Sequence, residues 1–205
     1  GCFLSALIGG GLALLLTGAG LLLLPGLLGL LQTPEEVRRY ALEYLRIIFL
    51  GFFAAFAYHL SSAVLRAAGN TRAALAFLSV SMAANLGLDL LLIAGLGWGV
   101  AGAAWATVAA QALAAALCLG YLRLKFPQLM FHRPDMVYDG PLLRRTAHFS
   151  FVSALHMCSL YLGKLLVQRT VNGLGTAAIS AYTAATRIEG FANSFGDSGA
   201  AALSV

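Results

Sequence analysis

The stretch MAANLGLDLLLIAG, residues 82–95, sets two polar side chains, Asn85 and Asp89, in a sequence that is otherwise hydrocarbon and glycine. A run this apolar predicts a helix that lies in a lipid bilayer or in a deep protein core. The spacing of four residues places Asn85 and Asp89 on one helical face, one turn apart. An ionised carboxylate near the centre of a membrane helix costs about 2.5 to 3.5 kcal/mol on insertion scales, so such residues usually face a polar cavity or bind something. The stretch therefore predicts both a membrane helix and a site.

The rest of the chain shares this apolar character. Of its 205 residues, 60% are hydrophobic and only 10% are charged, and the mean hydropathy is +0.85. A membrane-crossing helix needs about 20 mostly apolar residues. The stretches without Asp, Glu, Lys or Arg are 1–34, 47–65, 73–88, 90–122 and 146–163. This composition predicts an all-α, polytopic membrane helix bundle and disfavours a soluble domain.

Turn and charge signals predict six crossings. They run over about 3–31, 34–66, 73–95, 99–122, 146–171 and 175–205. Lys and Arg are enriched in cytoplasmic loops, and the alternate loops at 66–72 and 123–145 hold two and five of them, seven in all. Both loops are therefore expected on the cytoplasmic side. Because the chain opens with Gly1 and ends within an apolar run, we expect an internal piece of a longer protein with no visible signal peptide.

Sequence patterns typical of cofactor-binding, catalytic, metal-binding or nucleic-acid-binding proteins are weak in this chain. The sequence GWGVAG, residues 97–102, matches the dinucleotide-binding pattern, but that pattern needs a preceding strand and an acidic residue about 20 positions on. No Asp or Glu occurs between positions 90 and 134. The four histidines and three cysteines show neither metal-ligand nor catalytic spacing, and the basic residues do not form the single stripe expected of a nucleic-acid binder. We therefore expect neither an enzyme nor a cofactor or nucleic-acid partner.

Thr107 is the third candidate residue of the site at Asp89. The turn at 95–99 joins two antiparallel helices, and Asp89 lies 8 residues before Gly97 while Thr107 lies 10 after it. These separations correspond to about 12 and 15 Å along the helices, so Asn85, Asp89 and Thr107 are expected at similar depth. Three oxygen-bearing side chains suit a proton or a hard cation such as Na⁺. The alternative is an interhelical hydrogen bond that only holds the two helices together.

A second polar group occurs in the last two predicted helices. Lys164 and Gln168 share one helical face, and Arg187 with Glu189 can pair with groups on that neighbouring helix. A structural ion pair and the lining of a polar cavity both remain open for these four residues. Arg169, near the non-cytoplasmic end, is expected to extend its charge to the membrane interface.

Several motifs in order resemble the multidrug and toxic compound extrusion (MATE) family. They are TPEEVRRYALEYLRI (33–47), VLRAAGNTRAAL (64–75), NLGLDLLLI (85–93), GVAGAAWATVAAQ (99–111) and VQRTVNGLGTAAISAYTAATRIEGFANS (167–194). In that family about twelve helices form two six-helix lobes, and this chain is similar to helices three to eight. The resemblance implies that residues 1–122 are the end of the first transmembrane lobe with four helices, 123–145 a cytoplasmic linker and 146–205 the start of the second lobe with two helices.

The resemblance also implies a site and a function. The family's first-lobe cation site uses an Asp on helix one, an Asn and an Asp four apart on helix five, and a Thr on helix six. Asn85, Asp89 and Thr107 match the last three, and the first Asp would precede Gly1. The implied function is a multi-pass antiporter of the cytoplasmic membrane that exports amphipathic or cationic organic compounds in exchange for H⁺ or Na⁺.

The implied partners are small organic substrates, the lipid bilayer and the remaining helices of the same polypeptide. Beyond H⁺ or Na⁺ as coupling ion, no metal or cofactor is expected. Arg169 departs from the family, where a small residue is more usual. Two alternatives are a lipid-linked saccharide flippase of the same superfamily and a non-transporting membrane scaffold.

Overall fold

The computed structural model describes residues 2–129 and 140–203, and these form six long helices. The helices are α1 (Cys2–Leu30), α2 (Glu35–Ala67), α3 (Thr71–Asp89), α4 (Gly99–Lys125), α5 (Gly140–Gly173) and α6 (Thr176–Leu203). A short π-helical segment, Leu90–Gly95, continues α3, and a 3₁₀ turn, Pro127–Leu129, follows α4. No strand occurs in the described ranges, so the predicted all-α helix bundle is confirmed.

Five of the six helices contain a segment long and apolar enough to cross a bilayer. These segments are Ala6–Leu30, Glu35–Ala67, Thr71–Gly95, Gly99–Lys125 and Gly140–Gly173. The described part of α6 has no window of that hydropathy, because Arg187, Glu189 and several hydroxyl and amide side chains interrupt it. With 28 residues α6 is still long enough to span, so its crossing stays a prediction from length and family.

The linker predicted at 123–145 is partly helical. Helix α4 continues to Lys125, and α5 already begins at Gly140, six residues before the predicted start of that crossing. Residues 130–139 of the linker lie outside the described residues. Contacts group the chain into two compact units, which we call the first unit (Gly1–Pro25 with Arg39–Ala154) and the second unit (Gly26–Arg38 with Leu155–Val205). The division into lobes at 1–122, 123–145 and 146–205 stays a prediction.

Small residues on α4 allow close helix packing in the first unit. The buried small residues of α4 are Gly102, Ala104, Ala106, Ala110, Ala114 and Ala115. A Cβ atom placed on Gly51 of α2 would overlap the side chain of Val108, and one placed on Gly102 would lie 3.2 Å from the Cβ of Leu92. Membrane helices gain their association largely from such close backbone approach. The small residues of α4 therefore bring α2 and the end of the third crossing against it.

A cluster of buried hydrophobic residues lies in the first unit, near the turn between α2 and α3. Its buried members are Tyr58, Leu65, Ala74, Ala114, Ala115, Cys118 and Leu122. At the turn, the Asn70 side chain accepts a hydrogen bond from the backbone N–H of Ala73 (3.2 Å) and caps α3. The Asn70 amide also donates to the Tyr121 hydroxyl at 3.0 Å. Asn70 thus ties the start of α3 to the last turns of α4.

In the second unit, Asn172 joins the end of α1 to α5. Its amide donates to the carbonyl of Leu31 at 2.8 Å, and its carbonyl oxygen accepts from the Gln168 amide at 2.8 Å. The carbonyls in the last turn of a helix have no partner within the helix. Asn172 therefore supplies a donor just after α1 and at the same time orients Gln168. Gly175, with φ +91°, then allows the short turn into α6.

Candidate functional site

The α3 polar stripe consists of Ser81, Asn85 and Asp89, which follow one another at intervals of four residues and so share one face of the helix. The Ser81 hydroxyl is buried and donates a hydrogen bond of 2.9 Å to the carbonyl of Ala110 on α4. This hydrogen bond shows that the Ser81 face of α3 is directed toward α4. The stripe that carries Asn85 and Asp89 is the one that packs against α4.

Two atoms of the stripe are buried without a partner. Among the described residues, Asn85 Nδ2 and Asp89 Oδ1 are the buried side-chain polar atoms that make no hydrogen bond. The two residues as a whole are half-buried. Burying a donor or acceptor without a partner costs about 1 to 3 kcal/mol, and more for a charged group. Asn85 and Asp89 thus do not satisfy each other, and their role as ion-coupling residues stays a prediction.

Thr107 lies at the depth of Asn85. From the Ser81–Ala110 hydrogen bond, Asn85 is four residues further along α3, about 6 Å, and Thr107 is three residues back along the antiparallel α4, about 4.5 Å. The two side chains thus differ in depth by about 1.5 Å. Thr107 also shares its helical stripe with Ala110, three residues on. On this register Asp89 lies about 7.5 Å nearer than Thr107 to the turn at 95–99.

The approach of Leu92 to Gly102 gives an independent register for Asp89. Asp89 precedes Leu92 by three residues and Thr107 follows Gly102 by five, so their depths differ by about 3 Å. The two registers place Asp89 between half a turn and one and a half turns from Thr107. The structure thus puts Asn85, Asp89 and Thr107 on facing helices, while direct convergence of Asp89 with Thr107 stays a prediction.

The Thr107 hydroxyl keeps its acceptor capacity. It donates its proton to the carbonyl of Ala103 at 3.0 Å, as half-buried hydroxyls in helices commonly do. The oxygen lone pairs remain able to accept a hydrogen bond or to ligate a cation. Asn, Asp and Thr oxygens form a hard donor set that fits H⁺ or Na⁺. Within residues 2–129 and 140–203, no three His, Cys, Asp or Glu side chains cluster to hold a metal ion.

The π-helical segment directly after Asp89 was not predicted from the sequence. Here the N–H of Leu96 bonds to the carbonyl of Leu91 at 2.9 Å, and the N–H of Trp98 bonds to the carbonyl of Leu92 at 2.9 Å. Such wider turns are rare and occur frequently at functional sites. The sequence of Leu90–Gly95 is equally compatible with an ordinary α-helix, so it carries no signal for the π-helical turn. The carboxylate therefore lies where a regular helix changes its winding.

The second polar group lies within the second unit, where a cavity of about 370 Å³ forms between α5 and α6. We call it the α5–α6 cavity, and its lining residues are Lys164, Val167, Gln168, Tyr182, Thr186, Glu189, Gly190 and Asn193. Three of the four residues singled out in the sequence line it. Arg187 does not, because it follows Thr186 by one residue and so points about 100° away around the helix.

The class of protein follows from the fold and these sites. A bundle of long apolar helices, with two unpaired polar atoms buried on the face of α3 that packs against α4, is typical of a multi-pass membrane protein. Residues 2–91 match the MatE family model. The chain is 31% identical over 181 residues to the probable multidrug resistance protein YpnP of Bacillus subtilis, an alignment that covers 87% of this chain and 40% of that protein. The resemblance to the MATE family is therefore confirmed.

Two further comparisons agree. The chain is 28% identical over 172 residues to the probable multidrug resistance protein YoeA of Bacillus subtilis, covering 80% of this chain and 37% of that protein. A solved structure described as the inward-facing conformation of a multidrug resistance MATE family transporter of the MOP superfamily matches with a TM-score of 0.61 and 22% identity. That match covers 70% of this chain and 33% of the solved chain, and it shows the fold. The chain spans about 40% of the length of the curated relatives.

Proposed function

We propose that this chain is part of a multi-pass antiporter of the cytoplasmic membrane that exports amphipathic or cationic organic compounds in exchange for H⁺ or Na⁺. The family likeness and the names of the relatives, which refer to multidrug resistance, support transport over catalysis. The observation that carries the coupling proposal is the pair of buried, unpartnered atoms Asn85 Nδ2 and Asp89 Oδ1 on the face of α3 that packs against α4.

The coupling chemistry resides in the Asp89 carboxyl. Low dielectric surroundings favour the neutral, protonated carboxyl, whereas a nearby cation favours the carboxylate. The same group can therefore hold a proton or a metal ion but not both at full strength. Asn85 and Thr107 supply neutral oxygens that complete the shell around Na⁺ or accept the hydrogen bond of the protonated acid.

Conformational coupling follows from differential affinity. A ligand shifts a two-state equilibrium only by the difference in its affinity for the two states. A proton or Na⁺ at Asp89 gives the buried Oδ1 atom a partner. The ion therefore binds most tightly in the state in which α3 and α4 pack against each other as they do here. Loading and release of the ion would therefore bias the transporter between inward-open and outward-open states.

The test is efflux from proteoliposomes that contain the full-length protein under an imposed H⁺ or Na⁺ gradient. Asp89→Asn keeps the shape of the side chain but cannot bind and release a proton, so we expect gradient-driven efflux to fall below about a tenth of the wild-type rate. Glu36→Gln is the matched control, because it removes an exposed carboxylate in the first turn of α2. Wild-type efflux by Asp89→Asn, at matched protein amount, would show that Asp89 only holds helices together.

A further inference from the structure

Two turns meet in the second unit, although 141 positions separate the residues that join them. They are the turn after α1, at 31–34, and the turn between α5 and α6, at 174–175. The Asn172 amide donates a hydrogen bond of 2.8 Å to the carbonyl of Leu31, and the Gln168 amide donates one of 2.8 Å to the Asn172 carbonyl oxygen. The carboxyl ends of α1 and α5 are therefore neighbours.

The way α1 ends leaves the Leu31 carbonyl open to a partner. The N–H groups of Gln32 and Thr33 bond at 3.0 and 3.1 Å to carbonyls in the last turn of α1, which is the pattern of a Schellman motif. The carbonyl of Leu31 follows that turn and accepts the bond from Asn172. Both groups are half-buried at helix ends, where water can replace either partner. This hydrogen bond can therefore form and break at a small net cost.

Gln32 adds a second contact between the two turns. Among the described residues it is the one non-glycine residue with a positive φ, 51°. Glycine is the usual residue at this position of a Schellman motif, because it has no Cβ atom to strain the backbone. The Gln32 side chain extends to the other turn, since a Cβ atom placed on Gly173 would lie 3.8 Å from the Gln32 Oε1 atom. Strained backbone of this kind occurs in switch regions.

These contacts join elements that the family resemblance assigns to different lobes. Helices α1 and α2 belong to the predicted first lobe, and α5 and α6 belong to the predicted second lobe. The Lys and Arg count predicts cytoplasmic loops at 66–72 and 123–145, so the turns at 31–34 and 174–175 are expected on the opposite side. Transporters alternate access by rocking one bundle of helices against another. An opening on the non-cytoplasmic side would therefore separate these two turns.

We infer that Asn172 and Gln32 form a latch, the α1–α5 latch, which closes the transporter on the non-cytoplasmic side and breaks when it opens outward. No residue of α5, a helix that the structure describes from end to end, is buried within this chain. A packed core therefore does not hold α5 to α1, and a few polar contacts are enough to join or release them. This inference rests on the proposed transport function and deepens it, since it assigns residues to one of the two states.

The test measures the distance between the two turns in the full-length protein without native cysteines. Nitroxide labels at Glu36→Cys and Thr176→Cys, exposed positions in the first turns of α2 and α6, are followed by double electron–electron resonance in lipid nanodiscs. Asn172→Asp keeps an acceptor for Gln168 but has no amide to donate to Leu31. Loss of this bond should raise the ratio of long to short distances at least about fivefold, which corresponds to about 1 kcal/mol.

Tyr121→Phe is the matched control. It removes a hydrogen bond of the same kind, which the Asn70 amide donates at 3.0 Å, but that bond joins the start of α3 to α4 within one predicted lobe. The distance ratio in Tyr121→Phe should therefore equal that of wild type. An unchanged ratio in Asn172→Asp, or an equal rise in Tyr121→Phe, would overturn the inference.

A reversible tether tests the latch without weakening it. Gln32→Cys and Gly173→Cys place two thiols across the contact, and a short bis-methanethiosulfonate reagent links them in the same cysteine-free protein. A linked latch cannot open, so gradient-driven efflux from proteoliposomes should stop and should return on reduction with dithiothreitol. Each single-cysteine protein should keep its efflux after the same treatment. Full efflux by the linked double variant would contradict the latch, even if Asn172→Asp does not fold.

The distance measurement uses no ion gradient, so its outcome is independent of the coupling at Asp89. A ratio that rises in Asn172→Asp, together with no gradient-driven efflux by wild type, would refute only the coupling proposal. Gradient-driven efflux by wild type with an unchanged ratio in Asn172→Asp would refute only the latch.

Discussion

The close approach of α2 to α4 gives a prediction about packing. Gly51 is buried, and a Cβ atom placed on it would overlap both Cγ atoms of Val108 and lie 3.0 Å from the Val108 Cβ. Rotation of the valine about χ1 moves the Cγ atoms but leaves the Cβ where it is. The overlap in Gly51→Ala can therefore be relieved only if the two helices move apart, which weakens the small-residue packing of α4.

The magnitude follows from a comparison of two glycines. Overpacking a well-filled contact costs about 1 to 3 kcal/mol, while glycine-to-alanine replacement inside a helix gains about 1 kcal/mol. Gly120, also in a helix interior, has open space around it, since no atom lies within 4 Å of the position that a Cβ would take. Because Gly51→Ala and Gly120→Ala share the helical gain, their difference isolates the steric cost. We expect Gly51→Ala to be less stable than Gly120→Ala by about 1 to 3 kcal/mol.

A buried thiol provides the assay. Cys118 has an exposed fraction of 0% and belongs to the hydrophobic cluster of the first unit, whereas Cys158 is exposed. In a full-length protein whose single cysteine is Cys118, a thiol-reactive dye should report opening of the bundle during heating. The labelling midpoint of Gly51→Ala should fall below that of wild type and of Gly120→Ala.

A second substitution tests the cause. Val108→Ala removes both Cγ atoms and should restore most of the midpoint lost in Gly51→Ala, so the double mutant should show coupling between the two positions. Equal midpoints for Gly51→Ala and Gly120→Ala, or no recovery on adding Val108→Ala, would show that α2 and α4 do not meet at Gly51.

Two further predictions concern the turn at α3 and the membrane topology. Asn70→Ala removes both the cap of α3, which is worth about 0.5 to 2 kcal/mol, and the hydrogen bond to Tyr121, whereas Tyr121→Phe removes only that hydrogen bond. Asn70→Ala should therefore lower the Cys118 labelling midpoint more than Tyr121→Phe does. The reverse order would contradict the capping role of Asn70. The loop predicted at 123–145 is expected on the cytoplasmic side. A cysteine at Arg133, in a protein without other cysteines, should therefore resist a membrane-impermeant maleimide in intact cells and react after permeabilisation. Modification in intact cells would reverse the topology.

The sequence by itself determined the helices and one polar face. Long runs without charge predict membrane helices, because the backbone hydrogen bonds of a helix are satisfied within the segment and need no partner from elsewhere in the chain. The interval of four between Asn85 and Asp89 fixes their common face for the same local reason. These features depend on neighbours along the chain, so composition and period were sufficient to predict them.

The tertiary structure decided what depends on contacts between helices. The hydrogen bond from Ser81 to Ala110 brings Thr107 level with Asn85, while the approach of Leu92 to Gly102 places Asp89 within about 3 Å of the depth of Thr107, as counting residues from the turn does. The π-helical segment after Asp89 was likewise not predicted from the sequence. Register, winding and close approach depend on side chains distant in sequence, which a local pattern does not specify.

The same distinction holds for the α5–α6 cavity. The sequence placed Lys164 and Gln168 on one face of a helix, but it could not tell which residues of the neighbouring helix would meet them. In the structure Glu189 lines the cavity and Arg187 does not. Whether Lys164 and Glu189 pair with each other thus depends on how α5 and α6 are placed, which only the tertiary structure determines.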